Sequence, residues 1–451
     1  MLQSIFQTSA KYRLISVGWL IQSVWSWLRC SLLVNCLSGG PGELMTSSMR
    51  VMHLGKFYPP APGGIESLVR DLAIAQSDHG MDVSAQVFHH EPGHQTTSEN
   101  DNGVRVVRHA RTAGFAKLDY SSNLIDQIRY SKADILHLHV PNPSMILALL
   151  KVGHKFLDQT PIVVTYHSDI VRQKLRAAVF RPFENRLYSY VSAICPTSPM
   201  YANGSRFLRN NRTLIRPVPL GLNLDRFLNP TPEDLRKSVE LKASAQGPIW
   251  LACGRLVYYK GFLTAIRALA RTRSGGELWI IGTGPDLGAL KTEVEKLNLT
   301  DRVKFLGQVP STVPYYHAAD AFWFPSNARS EAFGLVQVEA MASGCPIINT
   351  SIPNSGVAWV SQNDLTGFTV PVDDPDALAQ AADRIATEPS TRERFAVNSR
   401  RRASDQFDIR VMARRNAQVY DVVLGRSSSE PSTEPQKLEK LVHSNFLPVS
   451  G

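Results

Sequence analysis

The chain has 451 residues, 43% of them hydrophobic and 20% charged, with a formal net charge of +10. That length exceeds what one hydrophobic core serves, so two domains plus end segments are expected, and the composition excludes a low-complexity chain. The excess charge is regional: residues 49–228 hold 21 basic and 14 acidic residues, whereas 229–425 hold 22 and 21.

Residues 1–48 are an extension before the fold. Leu14–Leu28 is apolar and tryptophan-rich between Arg13 and Arg29. It falls short of the roughly 20 residues that span a bilayer. Lys11 and Arg13 resemble the front of a signal peptide, yet no small-x-small cleavage site follows cleanly. An interfacial helix is one reading. The preferred reading is a mis-assigned start, with Met45 or Met49 the true first residue.

Met49–Leu54 reads as a first strand, and Gly55–Gly64 as a Pro/Gly loop ending in Gly63-Gly64. A helix is expected over Ile65–Gly80 from the spacing of Leu68, Leu72 and Ile74. Strands are expected at Asp82–His90, Val104–Arg108, Asp134–His139, Ile162–His167, Ala193–Thr197 and Val218–Leu222. Strands that alternate with helices predict a doubly wound parallel sheet. Asp225–Pro232, with two prolines, reads as the domain boundary.

The pattern then restarts. Strands are expected at Ile249–Cys253, Leu278–Gly282, Val303–Gly307, Ala321–Pro325, Pro346–Thr350 and Phe368–Pro371. Asp373–Leu378 reads as a helix start whose acids favour the dipole rather than bind metal. Arg410–Leu424 is an amphipathic final helix, and 426–451 a Ser/Pro/Glu-rich disordered tail. The expected units are 49–228, 229–409 and a terminal helix over 410–425. Ligands of open parallel sheets bind beyond the carboxyl ends of the strands, so two facing sheets place a cleft between them.

Cys30, Cys36, Cys195, Cys253 and Cys345 show one close spacing, Cys30/Cys36, and three sit in apolar or small-residue strand contexts. Buried reduced thiols in a cytosolic setting are expected, without a zinc site.

The chemistry concentrates at Ser330–Gly344, where Glu331 and Glu339 stand eight residues apart around Phe333-Gly334-Leu335. A carboxylate accepts two hydrogen bonds from vicinal hydroxyls, which a sugar and a ribose each offer. The Phe333–Leu335 amides would open a helix toward an anion between them. Transfer from a nucleotide diphosphate also needs a metal or fixed cations to hold the leaving charge. No Asp-x-Asp stands at a strand end, so metal is expected to play no part. Arg255 and Lys260, in Gly254-Arg-Leu-Val-Tyr-Tyr-Lys-Gly261, supply the cations, with Gly261 admitting a phosphate.

Gly63 and Gly64 would offer amides to the diphosphate from the opposite domain. Gly282 and Gly284 form a second glycine turn, short of a dinucleotide fingerprint. Gln308 and Val309, after another strand, are placed where a base would meet the backbone. His167 ends an apolar strand and is expected at the cleft rim, able to bond a sugar hydroxyl. His137 and His139 share one face of the preceding strand. The basic run Arg172, Lys174, Arg176, Arg181 and Arg186 is either an anionic-membrane contact or a solvated helix face. Nucleic acid is not expected, because no aromatic interleaving accompanies the charge.

With Gly63-Gly64, Gly254-Arg255…Lys260-Gly261, Gly282-Thr283-Gly284-Pro285 and Glu331…Glu339 in order, residues 49–424 resemble glycosyltransferase family 4. That resemblance implies the two-Rossmann GT-B fold, retention of anomeric configuration, and no metal or other cofactor beyond a nucleotide-sugar donor. It implies that Arg255 and Lys260 neutralise the donor diphosphate, with Gly63 and Gly64 closing over it. Glu331 would contact the donor sugar and Glu339 the ribose, while His167 would lie beside the transferred sugar. Tyr166–Lys174 is similar to bacterial mannosyltransferases of lipopolysaccharide O-antigen assembly. These imply GDP-mannose or a GDP-deoxymannose as donor and a polyprenyl-diphosphate-linked saccharide as acceptor. The enzyme would then be cytoplasmic, peripheral on the inner face of the membrane, with Arg172, Lys174 and Arg176 toward the lipid carrier. Alternatives are a UDP-sugar-dependent transferase, an epimerase or phosphorylase of the same fold, and a non-catalytic membrane scaffold. The intact set Arg255, Lys260, Glu331 and Glu339 disfavours the scaffold.

Overall fold

Short runs of branched and aromatic residues, buried on both faces, build the two parallel sheets of this computed structural model. It describes residues 48–111, 118–168 and 174–427. The first sheet comprises β1 (Arg50–Leu54), β2 (Asp82–Phe88), β3 (Thr97–Asp101), β4 (Val104–His109), β5 (Ile135–Val140), β6 (Ile162–Tyr166) and β7 (Val191–Pro196). Their order is β3-β4-β2-β1-β5-β6-β7. The second comprises β8 (Ile249–Cys253), β9 (Glu277–Ile281), β10 (Val303–Gly307), β11 (Ala321–Phe324), β12 (Ile347–Thr350) and β13 (Gly367–Val370), ordered β10-β9-β8-β11-β12-β13. Helices fill the connections, as parallel strands require. The strand order reverses between β1 and β5 and between β8 and β11, which opens a crevice at the carboxyl end of each sheet.

Two details depart from expectation. The first sheet has an antiparallel edge strand, β3, paired with β4 through a turn whose Asn102 and Gly103 both adopt positive φ. Its sequence, Thr-Ser-Glu-Asn-Asp, is polar and exposed, so no apolar alternation announces it. The stretch expected as a strand at Val218–Leu222 is no strand: its Val218 amide donates to the Pro196 carbonyl at the end of β7 at 3.1 Å, and the chain then leaves the sheet. The Leu222 amide donates to the Phe407 carbonyl at 2.9 Å, and the Ile409 amide donates to the Leu222 carbonyl at 3.0 Å. The chain thus passes between the lobes twice, side by side, in an apolar setting of Leu224, Phe227, Phe407 and Met412. The expected boundary Asp225–Pro232 contains a one-turn helix, Asp225–Leu228, and the Thr231–Asp234 capping box of the next.

One buried apolar cluster includes Val51, Leu68 and Leu72 of the first lobe with Phe322, Val338 and Phe407 of the second. The final helix, Ile409–Val423, packs on the helix Gly64–Asp78 of the first lobe and reaches its sheet through Tyr420. Cys195 and Cys345 are buried free thiols, and Cys253 is a half-buried one. Among the described residues no helix is long and apolar enough to cross a membrane. Cys30, Cys36, Arg172, the extension 1–47 and the tail from 428 lie outside the described residues, as do the side chains of Lys174 and Arg176.

Candidate active site

The residues singled out in the second lobe collect on the carboxyl ends of four neighbouring strands. Arg255 and Lys260 follow β8, Gly282 and Gly284 follow β9, Gln308 and Val309 follow β10, and Glu331 and Glu339 follow β11. Three of the connecting turns are stitched together: the Gly254 amide donates to the Ile281 carbonyl at 2.9 Å, and the Gly282 amide to the Gly307 carbonyl at 2.7 Å. Gln308 is exposed and Val309 is half-buried against the core.

The glycines here have a different reason from the one expected. A Cβ on Gly261 would stand 1.9 Å from the Pro325 carbonyl oxygen, and one on Gly282 would stand 2.0 Å from that of Gly254. Both backbones also have positive φ, +69° and +131°. They permit neighbouring strand ends to close on one another, rather than admitting a phosphate. Gly261→Ala should therefore cost about 2 kcal/mol or more in a denaturant titration. An unchanged midpoint would contradict this packing.

That closure places Lys260. Its stem lies 3.6–3.8 Å from the Cβ direction of Gly254, and its Nζ is 2.5 Å from Glu331 Oε2. Both side chains are largely enclosed, and Ser326 Oγ donates to the same carboxylate oxygen at 3.4 Å. A lysine ammonium has three donors, so two remain for a second anion. Arg255 is exposed at the end of β8, with no charge partner among the described residues. Two cations therefore stand on one turn, one held by a carboxylate and one open.

Glu339 sits on the helix Leu335–Ala342, whose N-cap, Gly334, offers no side-chain oxygen. The Leu335 and Val336 amides are thus left uncapped by a side chain at the site, with the helix dipole behind them. Tyr316 donates its hydroxyl to Glu339 Oε2 at 2.9 Å. Burial pushes the Glu339 carboxyl up, and the Tyr316 bond opposes that shift. Phe333 contributes backbone only, because its ring is buried edge-on against Phe407 at 5.5 Å. Gln337 Nε2 donates to the Phe333 carbonyl at 2.6 Å and fixes the loop.

The opposite wall comes from the first lobe. Gly63 and Gly64 line a cavity of about 870 Å³ together with Arg70, Leu335, Val336 and Glu339. A Cβ on Gly64 would meet only Leu335 Cδ1, at 4.0 Å. The loop before it is pinned by Arg108, which is buried and donates to the Tyr58 carbonyl at 3.1 Å and the Pro59 carbonyl at 2.5 Å. Gly63-Gly64, Glu339 and the open helix end thus share one cavity, with Lys260 and Glu331 on the adjoining turns.

His167 corrects the expectation of an open rim position: it follows β6 but is only 6% exposed. Its Nε2 lies 3.3 Å from His139 Nδ1, and burial lowers its pKa to about 4. His137 and His139 are wholly enclosed beside it. Sequence reasoning missed Tyr316, Gln76 and Tyr420, because a single tyrosine or glutamine on an amphipathic helix carries no spacing signal.

Both halves of the chain are similar to known proteins. Residues 235–402 match the family model "Glycosyl transferases group 1", and residues 63–221 match "Glycosyl transferase 4-like domain". The O-antigen chain mannosyltransferase C of Escherichia coli is 28% identical over 385 residues, 84% of this chain and 100% of that one. The D-rhamnosyltransferase WbpZ of Pseudomonas aeruginosa is 31% identical over 366 residues, 80% and 92% of the two chains. The sucrose-phosphate synthase of Thermosynechococcus elongatus superposes with a TM-score of 0.67 at 24% identity, covering 84% of this chain and 100% of that one.

Proposed function

Because the chain belongs to the group 1 glycosyltransferases, hexose-transferring enzymes with the GT-B fold, we propose that it moves mannose or a deoxymannose from a GDP-sugar. The acceptor in this reading is a polyprenyl-diphosphate-linked or lipopolysaccharide saccharide, and the configuration at the anomeric carbon is retained. The observation that carries the reading is the Lys260–Glu331 pair on the β8 and β11 turns, with Glu339 of the following helix lining one cavity with Gly63-Gly64.

In this arrangement the donor diphosphate lies between the Leu335 helix end and Gly63-Gly64. Arg255 and the free donors of Lys260 take up the charge that grows as the glycosidic bond breaks. Such fixed cations act in a partly water-excluded site, where they stabilise more than in bulk water. Glu331, aligned by Lys260, faces the transferred sugar, and Glu339, held by Tyr316, accepts the ribose hydroxyls. Gln308 and Val309 lie at the base end. His167 meets the sugar from the first lobe. Front-face departure of the phosphate helps deprotonate the acceptor hydroxyl, so no protein nucleophile is required.

The choice of mannose and of a lipid-linked acceptor leans on two of the relatives, which are named for an O-antigen mannosyl transfer and a rhamnosyl transfer. The helix Lys174–Tyr188 exposes Phe183 and Arg186, three residues apart on one side, and Arg181 elsewhere on its surface, side chains suited to an anionic membrane surface. In this reading the enzyme works at the inner face of the cytoplasmic membrane.

A thermal-shift series with GDP-mannose, GDP-rhamnose and UDP-glucose tests the donor. A ligand at a hundred times its Kd stabilises by about 2.7 kcal/mol. The GDP-sugars should raise the melting temperature by several degrees while UDP-glucose leaves it in place. The reverse order would replace the GDP reading with the UDP one.

A further inference from the structure

A chain of buried polar side chains runs through the first lobe. It contains His53 of β1, His139 of β5 and His167 after β6, and it reaches the final helix through Gln76 and Tyr420. Gln76 Nε2 donates to the Tyr420 hydroxyl at 3.0 Å, and Gln76 Oε1 lies 2.7 Å from His53 Nε2. His53 Nδ1 lies 3.0 Å from His139 Nε2, and His139 Nδ1 lies 3.3 Å from His167 Nε2. His137 joins from the side, 2.6 Å from the Tyr420 hydroxyl and 2.7 Å from Thr165 Oγ1.

Three of these histidines have ring nitrogens within 4.8 Å of one another, as a metal site would require. Their ring planes nevertheless lie within 33° of one another, with centroids 4.6–5.3 Å apart, and every ring nitrogen already has a neighbour in the chain. Ring nitrogens that are each taken up pairwise form a hydrogen-bond relay rather than a ligand set converging on one ion.

A relay of neutral imidazoles has a direction. Each ring carries one N–H and one lone pair, so fixing the proton on one ring fixes it on all. The amide oxygen of Gln76 can only accept, so His53 donates from Nε2 and must accept at Nδ1. His139 therefore donates from Nε2 and accepts at Nδ1, which obliges His167 to donate from Nε2. The His167 Nδ1 lone pair is the one end of the relay left over, with no partner among the described residues.

We propose that Gln76 and Tyr420 are positioning residues: through this relay they hold the His167 proton on Nε2, so that Nδ1 meets a hydroxyl of the bound sugar as an acceptor. The Tyr420 hydroxyl sets the orientation of the Gln76 amide, and Tyr420 belongs to the helix that returns from the second lobe. The protonation of a first-lobe side chain is thus dictated by a residue that arrives only when the last helix has docked. This rests on His167 lying beside the transferred sugar.

The test is nitrogen NMR of the full chain labelled with 15N in its histidine rings, with His167 assigned by comparison with His167→Ala. At neutral pH the His167 Nδ1 should resonate as an unprotonated nitrogen and Nε2 as a protonated one. The opposite pattern would overturn the proposal, and this wild-type measurement decides even if a variant fails to fold. Gln76→Leu should mix the two tautomers and lower kcat about tenfold with KM little changed. Tyr420→Phe, which removes the hydroxyl that Gln76 Nε2 donates to, should mix the tautomers in the same way. A Tyr420→Phe chain that keeps both the tautomer and kcat would remove Tyr420 from the relay. Full activity in His167→Ala with the tautomer as described would instead remove His167 from the sugar site while leaving the relay's direction standing.

Discussion

Lys260→Ala should lower kcat/KM by about 10²–10³, equivalent to some 3–4 kcal/mol of lost transition-state stabilisation. The informative comparison is with Glu331→Gln and the double variant, because Lys260 Nζ and Glu331 Oε2 are 2.5 Å apart and both largely enclosed. Removing either partner leaves the other charge underpaired in a poorly solvated place. Each single variant should therefore lose about 2 kcal/mol of stability, and the double variant should recover most of it, a coupling within the usual range for contacting residues. Activity should not follow stability. The double variant, although well folded, still lacks the cation proposed for the leaving diphosphate and the carboxylate proposed for the sugar. Denaturant midpoints and steady-state kinetics on the four proteins of the cycle separate the two roles. A double variant that regains activity together with stability would reduce the pair to a structural ion pair, and the reading of the site would fail with it.

The second lobe was more legible than the first, and the reason is physical. Its strands are short apolar runs that end in glycine turns, and the chemistry sits in the residues immediately after each run. Finding the runs therefore finds the candidate residues: Cys253 then Arg255 and Lys260, Phe324 then Glu331 and Glu339. What the turns do was harder to read, because a glycine that spares a phosphate and one that spares a carbonyl look alike. Gly261 and Gly282 belong to the second kind. In the first lobe, the alternation of β5 correctly puts His137 and His139 on one face. Nothing in that alternation says that His53, Gln76 and Tyr420 arrive there from three other elements. Gln76 and Tyr420 are separated by 344 positions, and only the docking of the last helix brings them together. The hairpin β3–β4 was missed for the opposite reason. Asn102-Gly103 is a strong local turn signal, but it was flanked on one side by polar residues that suggested a loop. The stretch Val218–Leu222 shows the limit of pattern reading most clearly: its apolar character belongs to a crossing between lobes, buried like a strand but bonded to another crossing.

Acid should begin to destabilise this protein well above the carboxylate range. Burial lowers His53, His109 and His167 to about 4, and holds His137 and His139 well below 6.5. In the unfolded chain each would take up a proton below about pH 6.5, whereas in the folded chain the first three stay neutral until about pH 4. Across that window the unfolded state binds more protons, so stability rises with pH and is lost as pH falls; above the window both states are neutral and the contribution is flat. Each such histidine changes stability by about 1.4 kcal/mol per pH unit, so three give about 4 kcal/mol per unit, and His137 and His139 steepen it further. A typical total of about 5–15 kcal/mol would be exhausted within about two to three units. The melting temperature should therefore be level from pH 8 to 7 and fall steeply toward pH 5. His109 lies outside the relay and the cavity, with Nε2 2.7 Å from Gln86 Oε1. His109→Leu should accordingly flatten the fall by one proton's share without altering the transfer reaction. A melting temperature that holds steady down to pH 5 would mean that these imidazoles reach water in the folded state, and the buried relay could not stand.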